Sequence, residues 1–336
     1  MHEPAFWREK DLRSRASAPL TRLLLTPVAA LYSHLGARRI ATARPYDAGL
    51  PVICVGNLTL GGAGKTPVSE ALRERITSLG KRAATLSRGY KGQMEGPLGV
   101  APNSHTATQV GDEPLMLAQR GEAWISKDRV AGADAMKAAG VEVVVMDDGH
   151  QNPTLKKTLS IVVVDANDPF GNGLIFPKGP LREPVARGLA RADAVVLMGD
   201  DRLPEELRNW DGPVLRATLT PIASTPPGIY VAFAGIGRPE RFFDSLRATE
   251  GVELADAIPF ADHHMFSDQD VQYLDRLAAM RGARLITTEK DLMRLSPEVR
   301  TRVSASPVAA RFAQPEHLDR LLENALHIAR EEASKK

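Results

Sequence analysis

The chain has 336 residues, 43% apolar and 25% charged, a balance that excludes an extended disordered polymer and suits one large or two ordinary domains. Its single cysteine, Cys54, excludes intrachain disulfides and cysteine-clustered metal centres and fits a reducing cytoplasm. Aromatic residues make up 5% of the chain and do not interleave with basic ones, so no nucleic-acid partner is expected.

The net charge of +2 is unevenly placed, since residues 1–50 carry eight Lys/Arg against four Asp/Glu. There Leu20, Leu23, Leu24, Val28, Leu31 and Leu35 recur at helical spacing among Arg13, Arg15, Arg22, Arg38 and Arg39. Residues 1–45 are therefore expected to form a basic amphipathic helix. A membrane span needs about 20 unbroken apolar residues, and Arg22, Thr26, Pro27, Ser33 and His34 interrupt this segment. The expectation is a helix lying in the interface of an anionic bilayer, retained because no signal-peptide cleavage pattern follows.

An apolar run at 52–55 precedes Thr59-Leu60-Gly61-Gly62-Ala63-Gly64-Lys65-Thr66, and a helix is expected over 67–79. Strand, glycine-rich loop and helix in that order predict a phosphate-binding loop. Backbone N–H groups and the helix N-terminus cradle a triphosphate, Lys65 reaches the β- and γ-phosphates, and Thr66 offers a hydroxyl to Mg²⁺. The strict pattern has glycine at position 59, where this chain has Thr59; Gly56, Gly61 and Gly62 supply flexibility nearby.

Downstream, strands are expected at 82–86, 123–126, 141–146, 160–164 and 194–198, with helices from about Glu113 and over 130–139. The alternation predicts an α/β fold with a mostly parallel sheet covered on both faces. A second, smaller α/β unit is expected from a strand at 229–233, with Gly235-Ile236-Gly237-Arg238-Pro239 as a tight turn into a helix and a later strand at 285–287. The expected organisation is helix 1–45, nucleotide-binding core 46–212 and the smaller α/β unit after it.

The strand at 141–146 ends in Asp147-Asp148-Gly149-His150-Gln151, at the sheet edge where open parallel sheets bind ligands. Beside a phosphate loop, such carboxylates hold Mg²⁺ directly or through water. Gly111-Asp112-Glu113-Pro114 sets two more acids at a helix start, where capping accounts for one of them. His263 and His264 lie in a loop of the second unit, suited to sharing a proton. Arg88, Tyr90, Arg129, Lys178 and Arg182 stand beside Gly/Pro punctuation as candidate clamps for phosphate groups.

Taken together these segments resemble the tetraacyldisaccharide 4′-kinase family, the lipid A kinases of Gram-negative bacteria. The resemblance is carried by Val55-Gly56-Asn57-Leu58-Thr59 through Lys65-Thr66-Pro67, Ser87-Arg88-Gly89-Tyr90, Gly111-Asp112-Glu113-Pro114, Asp147-Asp148-Gly149-His150-Gln151, Gly179-Pro180-Leu181-Arg182-Glu183-Pro184, Asp262-His263-His264 and Thr288-Glu289-Lys290-Asp291. His150 and Lys178 depart from the family pattern; Thr59 does not.

The resemblance implies a P-loop kinase that uses ATP and Mg²⁺ to phosphorylate the 4′-hydroxyl of a tetraacyl disaccharide 1-phosphate, giving lipid IVA. It implies a monomer at the cytoplasmic face of the inner membrane. It also implies a dyad in which Asp112 accepts the hydroxyl proton and His263 orients it, with His264 as the alternative; bringing them together implies a hinge over 213–230 that closes a lid over 231–336. Lys65 and the loop 59–66 would hold the triphosphate. Thr66, Glu113 and Asp147 would serve the metal, and Arg88, Tyr90, Arg129, Asp148, Gln151 and Arg182 the substrates. The competing readings are a P-loop GTPase or metallochaperone, disfavoured because no Asn-Lys-x-Asp motif occurs, and a soluble small-molecule kinase or ligase.

Overall fold

The computed structural model describes residues 4–11, 13–199 and 202–334. Its larger sheet contains β1 (Val52–Gly56), β2 (Ala83–Ser87), β3 (Leu98–Gly99), β4 (Ala123–Ile125), β5 (Val143–Asp147), β6 (Leu159–Asp165), β7 (Ala194–Met198) and β8 (Val214–Pro221). A smaller sheet contains β9 (Gly228–Ala234), β10 (Val252–Pro259), β11 (Arg284–Thr288) and β12 (Ser304–Ser306), after which β13 (Val308–Phe312) returns to the larger one. The orders are β13-β8-β7-β6-β1-β5-β2-β4-β3 and β10-β9-β11-β12.

Pairing is parallel throughout except at the two edges of the larger sheet, β3 with β4 and β13 with β8. The parallel arrangement follows from the residues: β1, β5, β6 and β7 are Val/Ile-rich and buried at every position, as strands covered on both faces must be. On one face Leu72 and Ile76 of the helix Lys65–Ser78 pack with Leu318, Leu322 and Ala325 of the helix Pro315–Ser334. Ala133 and Met136 of the helix Arg129–Ala138 cover the other face. In the smaller sheet Phe243 and Leu246 cover one side and Val271, Leu274 and Leu277 the other.

Three expectations change. The hinge expected at 213–230 overlaps β8, which pairs with both β7 and β13, so the segment joining the two sheets is only 222–227. The lid expected over 231–336 ends early, because β13 and the helix Pro315–Ser334 bury apolar side chains in the larger unit. The single helix expected over 1–45 is instead a pair of one-turn 3₁₀ segments followed by the helices Pro19–Leu24 and Thr26–Thr42, with Pro27 in the first turn of the last. This segment is tied to the core by Trp7, whose indole donates to the Pro177 carbonyl at 3.0 Å, and by Tyr32 against Phe176.

Because Leu322 is fully buried in the larger core, Leu322→Ala is expected to lower the unfolding free energy by about 2–5 kcal/mol in urea titrations. A loss under about 1 kcal/mol would contradict the assignment of the C-terminal helix to that core.

Candidate active site

The helix after β1 begins at Lys65, two residues before the expected start, so Lys65 and Thr66 lie in its first turn. Two glycines make the approach possible: Gly61 at φ +109° and Gly64, the residue before the helix, at φ +83°. The Gly-Pro-Leu-Arg-Glu-Pro run braces this loop from outside. The Leu60 amide donates to the Pro180 carbonyl at 2.7 Å, the Arg182 amide to the Leu58 carbonyl at 2.8 Å, and the Arg182 Nε to the Thr59 carbonyl at 3.1 Å. Thr59, Leu60, Gly61, Gly62, Ala63 and Gly64 thus curl at a helix N-terminus, the backbone form that receives phosphate.

Asp147 ends β5, directly beside Val55 of β1. Its carboxylate accepts from Ser69 Oγ at 2.8 Å and lies 3.5 Å from Thr66 Oγ1. Burial, reinforced by the Glu113 charge, pushes its pKa up to about 7. Asp148 behaves oppositely: burial opposes its charge, but Lys65 at 3.7 Å and the two-pronged Arg182 guanidinium at 3.0 Å hold its pKa down at about 2. Asp148 also sits at φ +51°, an unusual backbone for a residue with a Cβ and one that clusters at working sites.

A divalent ion fits this arrangement. Among the described residues no three His, Cys, Asp or Glu side chains gather as a self-sufficient metal site. Mg²⁺ needs no such cage, because it binds through one or two protein ligands with phosphate oxygens and water. Asp147, a buried carboxylate short of positive charge and next to the Thr66 hydroxyl, is a suitable ligand. Glu113 contributes through its field and is itself paired with Lys290 at 2.9 Å.

Asp112 opens the helix Asp112–Ala118 on the larger unit, and its side chain is buried at the seam with the smaller one. Its Oδ2 is 3.0 Å from His263 Nδ1 and receives Arg294 Nε at 2.7 Å and Arg294 Nη2; its Oδ1 accepts the Glu113 amide at 2.9 Å. Burial opposes the negative charge, yet the His263 hydrogen bond and the Lys290 and Arg294 charges hold the Asp112 pKa far below the carboxylate range. His263 adopts φ +57° and its amide donates to the Gly235 carbonyl, which also accepts from Arg294. His264 points elsewhere, pairing with Asp270 at 3.0 Å.

The other candidates divide. Tyr90 is exposed with its ring edge-on to His263 at 5.5 Å. Arg88 is exposed, while Arg129 is buried; burial first and Arg88 second lower its pKa to about 10. Gln151 donates to the Asn57 carbonyl at 2.9 Å and to Glu183 at 3.0 Å, so it braces the loop. Sequence reasoning missed four participants: Ser69, Lys290, Arg294 and the Arg238 contact with Asp165 and Asp168. Lys290 lies in the quoted Thr-Glu-Lys-Asp run, and an alternation of charges at a helix start was the available signal.

A carboxyl with a higher pKa folded than unfolded keeps, in the native chain, a proton that the unfolded chain has released. The Asp147 contribution to stability is therefore lost as pH rises from about 4 to about 7. Asp147→Asn should melt above the parent at pH 8 without metal or nucleotide, with the gap closing towards pH 4. A variant melting below the parent at pH 8 would contradict this electrostatic picture.

The comparisons with known proteins bear on this geometry. Residues 21–327 match the family model for tetraacyldisaccharide-1-P 4′-kinase. A tetraacyldisaccharide 4′-kinase of Hyphomonas neptunium is 57% identical over 96% of this chain and 97% of its own, and one of Maricaulis maris is 51% identical over 97% of each. A solved "apo" form of LpxK from Aquifex aeolicus, in complex with ATP, superposes with a TM-score of 0.71 at 27% identity, covering 91% of this chain and 99% of that one. The chain belongs to the tetraacyldisaccharide 4′-kinase family.

Proposed function

We propose that this chain transfers the γ-phosphoryl group of ATP to the 4′-hydroxyl of a tetraacyl disaccharide 1-phosphate, the lipid A step that yields lipid IVA. Its family membership and the likeness to an ATP-bound LpxK support the donor and acceptor. The observation that carries the reading is the 3.0 Å contact between Asp112 of the larger unit and His263 of the smaller.

In this reading the loop 59–66 and Lys65 hold the triphosphate, and Thr66 and Asp147 would hold Mg²⁺, which when bound would supply positive charge to the phosphoryl oxygens. Asp112 takes the proton of the attacking hydroxyl. A strongly depressed carboxylate is a weak base, but phosphoryl transfer has a loose transition state in which aligning the nucleophile matters more than early proton removal. Because Oδ2 is occupied by His263 and Arg294, Oδ1, which accepts one backbone amide, is the oxygen that faces this task. Arg88, Tyr90 and Arg129 are proposed to receive the acceptor, with Tyr90 beside His263 at the sugar. Asp148, Arg182 and Gln151 act by shaping the phosphate loop. Lys65, Asp112 and His263 come from one chain, so a monomer suffices.

The acceptor's acyl chains remain in a bilayer, and the N-terminal segment is proposed to meet that surface peripherally at the cytoplasmic face of the inner membrane. Leu20, Leu23, Leu24, Leu31 and Leu35 are each more than half exposed, from 54% to 76%, a concentration of exposed apolar side chains in one segment of the kind that marks interaction surfaces. No helix among the described residues is long and apolar enough to cross a membrane.

The direct assay supplies radiolabelled ATP and a tetraacyl disaccharide 1-phosphate. The parent should label the lipid, while Lys65→Ala, Asp112→Ala and His263→Ala should each lose at least ~100-fold in kcat. No lipid labelling by the parent would sink the assignment, and full activity of Asp112→Ala would remove it as the base. For the membrane role, Leu20→Glu, Leu24→Glu and Leu31→Glu combined should abolish co-flotation with anionic vesicles and leave nucleotide binding intact. Undiminished flotation would count against it.

A further inference from the structure

A second set of contacts joins the two units beside the phosphate loop. There a narrow crevice is lined by loop residues 59–63, by Asp165 and Asp168 of the larger unit, and by Gly237 and Arg238 of the smaller. Gly237 lies close over the loop: a Cβ built on it would be 3.9 Å from the Gly62 amide nitrogen. Arg238 Nη1 pairs with Asp165 Oδ2, Nη2 with Asp168 Oδ2 at 2.6 Å, and Arg241 joins Asp165 at 2.7 Å.

Two acids beside a triphosphate site repel the ligand unless they are neutralised. Here Arg238 of the other unit pairs with both acids and lies in the lining of the crevice itself. Its planar fork has five N–H donors, of which the two acids engage a nitrogen each. Donors remain for a third anion beside the glycine loop that leads into the helix at Lys65.

We propose that Arg238 is an arginine finger supplied in cis. With nucleotide bound it donates to oxygens of the β- and γ-phosphoryl groups, while Asp165 and Asp168 aim its guanidinium. This rests on reading the loop 59–66 as the ATP site. It makes closure of the smaller unit sense the donor phosphate on one seam while His263 completes the acceptor side on the other. Fingers of this kind act on charge developing in transfer and contribute about 10³–10⁵ in kcat elsewhere.

The test compares Arg238→Ala, Arg238→Lys and Arg241→Ala with the parent, because both arginines pair with Asp165 but only Arg238 lines the crevice. Steady-state labelling is combined with titration of mant-ADP and mant-ATP. Arg238→Ala should lose at least ~100-fold in kcat, Arg238→Lys should fall between it and the parent, and Arg241→Ala should stay within about fivefold. Arg238→Ala should also bind mant-ADP as the parent does while losing the extra affinity for mant-ATP.

Equal losses in Arg238→Ala and Arg241→Ala would reduce the contact to a latch and overturn the proposal. So would an Arg238→Ala variant with the parent's kcat, or one that no longer binds mant-ADP, which would assign the residue to maintaining the loop. A parent that binds mant-ATP but labels no lipid would sink the acceptor assignment instead, and the two nucleotide affinities would still decide the arginine.

Discussion

The Asp112 carboxylate, buried where the two units meet, is the constraint on which the rest of the arrangement depends. A buried carboxylate without partners is costly, and removing one partner of such a cluster is usually worse than never having had it. Asp112 therefore fixes where His263 and Arg294 must sit, and both belong to the smaller unit. Arg294 in turn holds Asp291 and the Gly235 carbonyl, to which the His263 amide is also bonded. Lys290 with Glu113, and Arg120 with Glu289, extend the same seam. The smaller unit is positioned by charge pairing at its contact with the helix Asp112–Ala118, and the dyad is one consequence of that pairing.

The larger unit provides the phosphate-loop half. Its parallel strands bring the phosphate loop after β1 and the Asp147 carboxylate at the end of β5 to one edge. The opposite titration of two adjacent acids follows from where each points. Asp147 meets a serine and the field of Glu113, whereas Asp148 meets a lysine and an arginine. One is left short of a cation; the other is already neutralised and helps hold Lys65 and Arg182 in place. Arg120 reaches both Glu289 of the smaller unit and Glu70 of the helix that starts at Lys65, so one guanidinium joins the phosphate-loop helix to the smaller unit.

Much of this was legible in the residues. Strands buried on both faces leave continuous apolar runs, which is why 52–55, 141–146 and 194–198 stand out, and glycines followed by Lys65-Thr66 announce an anion site before any fold is known. The expectations that failed depended on distant partners. β8 alternates between buried and exposed positions and carries Thr and Pro, so it reads as linker until β7 and β13 are placed beside it. β13 is a short strand whose value lies in an antiparallel pairing with residues 217–221, too remote for local periodicity to reveal. Arg294 and Arg238 are ordinary charged residues by local pattern, and they gain meaning only from acids 182 and 73 positions away.

The central claim is that Asp112 and His263 act as one unit assembled across the seam, and a double-mutant cycle on kcat tests it most directly. Asp112→Asn, His263→Gln and the combined variant are compared under saturating ATP, Mg²⁺ and lipid. The account predicts that the combined variant loses no more than about threefold beyond the worse single change, because residues acting as a unit are strongly non-additive. Losses that multiply would show two independent contributions and contradict it.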